Sequence, residues 1–137
     1  MATPGPRLRV LFLCTGNSCR SQMAEGFARF HGGYQVEALS AGSRPSGQIN
    51  PKAIRFMEEL GYDLTTHAST SLDDITGTFD AVITMGCGDA CPFFPGKTYL
   101  DWPLNDPAGK GVEEVRPIRD EIRAKVEALI AEIDAKF

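Results

Sequence analysis

A chain of 137 residues is long enough for one domain with a buried core and short for two. With 42% apolar and 23% charged residues it has the make-up of a soluble globular protein, and no apolar run approaches the length that spans a bilayer. A net charge of −4, a pI near 5.1 and the lack of any Lys/Arg block argue against nucleic acid and membrane surfaces as partners, so an anionic substrate has to be held by a local site.

Residues 1–6 are small, Pro-rich and uncharged, without the apolar stretch of a secretory signal; they are expected to be a flexible lead-in to a single domain over 1–137. Residues 8–13 form an apolar run, broken only by Arg9, that leads to Gly16, the pattern of a strand buried on both faces. A helix is predicted over 21–31, with Met23, Phe27 and Phe30 at helical spacing and Gly32-Gly33 as its stop. Residues 34–40 read as a second strand, closed by Ala41-Gly42. Asn50-Pro51 supplies an N-cap and a first-turn proline, after which Ile54, Met57 and Leu60 line one helix face before Gly61. Residues 79–85 and 97–102 read as a third and a short fourth strand. The last helix carries Ile118, Ile122, Val126, Leu129 and Ile133 on one stripe, with Pro117 expected in its first turn.

Strands alternating with helices predict an α/β fold: three layers, with a four-stranded parallel sheet flanked by helices. Such sheets bind ligands at the carboxyl ends of their strands. Cys14, Cys87 and Asp106 all fall just after predicted strands, so the fold can bring them together.

The segment from Cys14 through Thr15, Gly16, Asn17, Ser18, Cys19 and Arg20 to Ser21 joins the first strand to the first helix. A tight loop of this length turns its N–H groups inward at the positive end of a helix and forms an oxyanion nest. Gly16 and Asn17 tolerate the left-handed dihedrals such a turn needs. Arg20 adds a planar fork suited to two oxygens of a tetrahedral anion. Helix N-termini and neighbouring cations also favour the thiolate form of a cysteine, which makes Cys14 a nucleophile aimed at the anion its own loop holds. An isolated Cys-x5-Arg spacing is equally read as a buried thiol and a solvated arginine; the strand–loop–helix context and the Gly-Asn-Ser filling favour the first reading. Cys19 reads as a small packed side chain, and Ser21 as a hydrogen-bond donor to Cys14, a helix cap, or both.

Asp106-Pro107 follows the fourth predicted strand. A carboxylic acid there can protonate an oxygen leaving the anion, although from the residues alone a solvated turn aspartate before proline is the commoner reading. Cys87 and Cys91 lie in a Gly-rich loop after the third strand, and two thiols near an activated third suggest thiol–disulfide exchange. The spacings Cys14-x4-Cys19 and Cys87-x3-Cys91 are close to those of zinc ligand pairs, but zinc knuckles do not open a helix or carry an arginine. In a reducing, cytoplasmic setting four such thiols are catalytic or metal-binding rather than structural bridges.

The loop with Gln22-Met23-Ala24-Glu25 after it resembles the low-molecular-weight protein tyrosine phosphatases and, more closely, the arsenate reductases built on that fold. The likeness runs on through Ser40-Ala41-Gly42, Asn50-Pro51-Lys52-Ala53, Asp106-Pro107-Ala108-Gly109 and Arg119-Asp120-Glu121-Ile122. It implies an arsenical-resistance oxidoreductase with no tightly bound cofactor. Cys14 attacks arsenate, Asp106 serves as the acid, and Cys87 then Cys91 carry a redox-active disulfide outward to thioredoxin. Phosphate and sulfate are expected as substrate analogues, and weak residual phosphatase activity as a by-product. Some relatives bind potassium through residues matching Asn17, Glu25 and Ser40; a further acidic ligand there is Thr70 here. This sequence also departs from the pattern in having three residues between Cys87 and Cys91, which leaves a low-molecular-weight thiol with a glutaredoxin-like protein as the alternative reductant. A tyrosine phosphatase is the rival activity, but Ala108-Gly109 stand where such enzymes place aromatic residues. A phosphocysteine carrier leaves Cys87 and Cys91 without a purpose. His31 and His67 have no motif around them and read as surface or packing residues.

Overall fold

The structure, a computed structural model, describes residues 8–14, 17, 19–32, 36–44, 47–85, 96–102 and 112–136. Nothing polar interrupts residues 10–14, and all five are buried, so strand β1 (Leu8–Cys14) takes a central place with neighbours on both sides. Strand β2 (Val36–Gly42) pairs with one edge of it and strand β3 (Phe79–Thr84) with the other; strand β4 (Gly96–Asp101) pairs with β3. The order is β2-β1-β3-β4, and every pairing is parallel, as the sequence pattern predicts.

This order makes the β1/β3 boundary the switch point, since the chain leaves β1 toward one edge and later returns to the other. The register levels the carboxyl ends. Cys14 stands opposite Gly42, Leu13 opposite Thr84, and Thr84 opposite Asp101.

Alternation along β1 divides the core. Val10, Phe12 and Cys14 face a cluster with Met23 and Phe27 of helix α1 (Arg20–Gly32), Ala53 and Met57 of helix α2 (Pro51–Glu58), and Ile118, Ile122, Val126 and Ile130 of helix α3 (Val112–Lys136). Leu11 and Leu13 face the other way, onto Ala41, Phe79 and Val82. Leu72 and Ile75 close that side beside a 3-10 turn at Leu72–Asp74. Trp102 is buried against Phe12, ring centroids 5.9 Å apart.

Helix α2 begins as its sequence dictates: Asn50 caps it by accepting from the Lys52 N–H at 2.9 Å, and Pro51 occupies the first turn. Gly26 lets the segment after α2 close onto α1. A Cβ there would lie 3.0 Å from Leu64 Cδ2 and 3.2 Å from Met57 Cε. That approach brings residues 66–70 alongside the start of α1.

Three sequence expectations need correction. Strand β2 runs to Gly42 rather than ending at residue 40, because parallel pairing with β1 continues until Cys14; Tyr34 lies outside the described residues. Phe30 is 69% exposed, and instead of joining Phe27 in the core it meets the edge of Tyr62 at 4.9 Å. Pro117 is the sixth residue of α3, beyond its first turn, and its exposed ring leaves the forgone helix bond on the solvent side. Residues 1–7, the Cys87–Cys91 loop, Phe93, Phe94 and Asp106 lie outside the described residues.

Candidate active site

Cys14 ends β1 and Arg20 opens α1, so both reach the carboxyl edge of the sheet at the switch point. The Cys14 side chain is buried, and two polar groups meet its sulfur. The Asn17 N–H donates to Sγ at 3.2 Å, and the Ser21 hydroxyl lies 2.8 Å away.

Neighbouring bonds settle which atom donates in the second contact. Asn17 Oδ1 accepts from the Thr70 N–H at 2.7 Å, so its amide nitrogen Nδ2 must face Ser21, where it donates to Oγ at 2.9 Å. With that lone pair occupied, the hydroxyl proton is free to point at Sγ. The sulfur is thus an acceptor twice over, the arrangement a thiolate uses both when it attacks and when it leaves. Asn17 itself is fully buried with φ +47°, the left-handed conformation that asparagine tolerates better than most residues.

Arg20 is buried, and its Nη1 donates to the Met85 carbonyl at 2.5 Å. Met85 is joined in turn to β1 through its N–H on the Leu13 carbonyl at 3.1 Å. The arginine therefore ties the start of α1 to the end of β3 at Met85, two positions before Cys87 in the chain. Cys19 is buried as expected, and its carbonyl accepts the Met23 N–H at 2.9 Å at the start of α1. Of the residues expected to bind the oxyanion, Asn17 and Ser21 meet the Cys14 sulfur, Cys19 and Arg20 are buried at the start of α1, and Thr15, Gly16 and Ser18 lie outside the described residues.

A model of the low molecular weight phosphotyrosine protein phosphatase family matches residues 9–137. The chain belongs to this family. An arsenate reductase of Staphylococcus epidermidis is 45% identical over 123 residues, covering 86% of this chain and 92% of that protein. A glutaredoxin arsenate reductase of Synechocystis is 39% identical, covering 91% and 98%. Among solved structures, an arsenate reductase in a phosphate-binding state superposes with a TM-score of 0.83 at 38% identity, covering 92% and 98%. A thioredoxin-dependent arsenate reductase of Corynebacterium glutamicum superposes with a TM-score of 0.80 at 38% identity, covering all of this chain and 66% of that one.

Against the family background, the potassium expectation is the part that the geometry corrects. Glu25 and Ser40 do meet, the hydroxyl donating to Oε1 at 2.7 Å, in a cleft of about 270 Å³. However, Glu25 Oε2 already faces Arg29 Nε at 2.9 Å and His67 Nδ1 at 3.2 Å. Asn17 Oδ1 already accepts from Thr70 and from Gln22. The carboxylate has a protein cation beside it and the amide oxygen has two donors, so this set does not fit a potassium ion. No step is assigned to potassium.

His67 and Gln22 are the residues that sequence reasoning missed. Burial holds the His67 imidazole below the usual histidine range, partly opposed by Glu25, so its contact with Glu25 is a neutral hydrogen bond rather than an ion pair. Gln22 stood inside the motif, but only the fold shows what its amide touches. Among the described residues no group of three or more His, Cys, Asp or Glu side chains converges as a metal site does, and no helix is long and apolar enough to cross a membrane.

Proposed function

We propose that this chain reduces arsenate to arsenite at Cys14 and that its thiols are recycled by thioredoxin in the cytoplasm. The observation that carries the reading is the doubly hydrogen-bonded Cys14 sulfur at the switch point, in the strand–helix connection that ends on the buried Arg20. The Cys14 thiolate attacks arsenic(V) and forms an S–As bond, while an arsenate oxygen leaves as water on protonation by Asp106. The Cys87 thiolate then attacks Cys14 Sγ. The S–As electron pair passes to arsenic, which departs as arsenite, and a Cys14–Cys87 disulfide remains. Cys91 attacks Cys87 Sγ and frees the Cys14 thiolate, which the Asn17 N–H and Ser21 hydroxyl are placed to receive. The Cys87–Cys91 disulfide is reduced by thioredoxin.

The nest, with Arg20, holds the tetrahedral anion, and phosphate and sulfate compete for the same place. A phosphate ester at this loop meets the same nucleophile, so weak phosphatase activity accompanies the main reaction. A second reading concerns the reductant alone. The three-residue Cys87–Cys91 spacing and the likeness to a glutaredoxin arsenate reductase support a low-molecular-weight thiol with a glutaredoxin-like protein. Arsenite formation followed with thioredoxin, thioredoxin reductase and NADPH, against a glutathione–glutaredoxin system, decides between them. No arsenite in either system removes the proposal.

A further inference from the structure

Gln22 is fully buried in the first turn of α1, where a helix ordinarily presents polar side chains to water. Its amide nitrogen donates toward three oxygens: Asn17 O at 3.1 Å, Asn17 Oδ1 at 3.1 Å and Ala68 O at 2.9 Å. Three acceptors around one atom identify it as nitrogen, since a flipped amide would set its oxygen against all three. Its Oε1 then faces His67 Nδ1 at 3.0 Å, and because an amide oxygen only accepts, Nδ1 carries the proton. The orientation of Gln22 is thus settled from both sides.

The two bonds to Asn17 have a consequence for the sulfur. One grips its backbone carbonyl and the other its side-chain oxygen, so the left-handed backbone and the amide plane are fixed together. The backbone bond helps hold Asn17 in the left-handed conformation from which its N–H reaches Cys14 Sγ. The side-chain bond, with Thr70, sets the amide that orients Ser21. The segment at the far end is itself anchored: the Thr70 carbonyl accepts the Gly42 N–H at 3.0 Å at the carboxyl end of β2.

We propose that Gln22 is a positioning residue of the reaction: by clamping Asn17 to the 68–70 segment it directs both hydrogen bonds that hold the Cys14 sulfur. The proposal rests on Cys14 as the nucleophile but not on arsenate as the substrate. Gln22→Met keeps the volume and helical preference of the side chain and removes every hydrogen bond it makes.

The test is the rate at which iodoacetate alkylates Cys14 at pH 7, read by mass spectrometry of the Cys14 peptide, with and without inorganic phosphate. Iodoacetate carries a carboxylate that the anion loop can hold, and phosphate competes for it. The expected result is a folded variant whose Cys14 reacts at least about tenfold more slowly than in wild type, the scale of one lost bond to a charged acceptor, and is less well protected by phosphate. A role limited to packing lowers the melting temperature and leaves both readings alone, so a folded variant within twofold of wild type overturns the proposal. Should Gln22→Met not fold, Gln22→Glu, which keeps the acceptor toward His67 and loses both donated protons, is judged by the same two readings. If wild-type Cys14 reacts no faster than a thiol in an unfolded peptide, the nucleophile assignment falls and Gln22 with it. A reactive wild-type Cys14 and an unchanged variant remove Gln22 alone.

Discussion

An arginine stands near each end of strand β1, Arg9 within the strand and Arg20 at the start of α1 beyond it, and the two are used differently. At the amino end, Arg9 donates to Glu37 at 2.7 Å and to the carbonyls of Thr76 and Thr78 at 3.3 and 3.0 Å, while its guanidinium lies 4.3 Å from the centre of the Phe79 ring. Its own N–H donates to Asp80 at 2.9 Å. That network joins β1 to β2 and β3, and the Glu37 carboxylate matches its charge. Beyond the carboxyl end, Arg20 ties α1 to the end of β3 at the Met85 carbonyl, and the Asn17 and Ser21 donors converge on a sulfur. One end uses hydrogen bonds to close a structure. The other arranges them around an atom that reacts.

The sharpest way to break this contrast is at the sulfur. Cys14→Ser is expected to lower arsenate reduction by at least about a thousandfold in the thioredoxin-coupled assay while the protein stays folded. Retained turnover moves the chemistry away from this loop. The arginines come next. Arg20→Lys replaces a fork with a point charge and should lower kcat/KM by about a hundredfold. Arg9→Lys should leave kcat/KM within twofold and cost about 1 kcal/mol of stability, or roughly 3–5 °C in Tm. Equal effects on activity would erase the distinction between the two ends.

A third region sharpens the structural half of the comparison. Arg116, and next Arg119, hold the Glu59 carboxyl below the usual carboxylate range, and Arg119 also donates to the Phe56 carbonyl at 3.0 Å, tying α2 to α3. A carboxyl whose folded pKa is depressed stabilises the fold above its unfolded value and loses that contribution as pH falls through the folded one. Glu59→Gln should therefore melt a few degrees below wild type at pH 7 and converge with it well below pH 4.5, the ordinary value for this group. A difference that persists in acid points to packing instead. The smallest effect concerns the cation. Because Arg29 already faces Glu25, exchanging potassium for sodium at constant ionic strength should leave kcat/KM within twofold.

Much of this was legible in the sequence because local chemistry decided it. The apolar run of β1 and the Asn50-Pro51 start of α2 each depend on residues close together in the chain, and each appears where expected; Cys14 and Arg20 likewise end β1 and open α1. What was not legible depends on distant partners. The length of β2 is set by its ladder with β1, and Phe30 is left outside because the core ends before it. Gln22 and His67 gain their roles only when residues 66–70 fold back onto α1, 45 or 46 positions away. Glu25 stood in the motif, but which of its neighbours meets it depends on the fold: Arg29, one turn later, takes its Oε2.

The central claim is that Cys14 starts a two-electron reduction that ends on Cys87 and Cys91. One turnover with excess arsenate and no external reductant tests it, with arsenite counted and disulfides mapped by mass spectrometry. One arsenite per enzyme and a Cys87–Cys91 disulfide are the expected result. No arsenite, or arsenite with Cys87 and Cys91 still as free thiols, contradicts it.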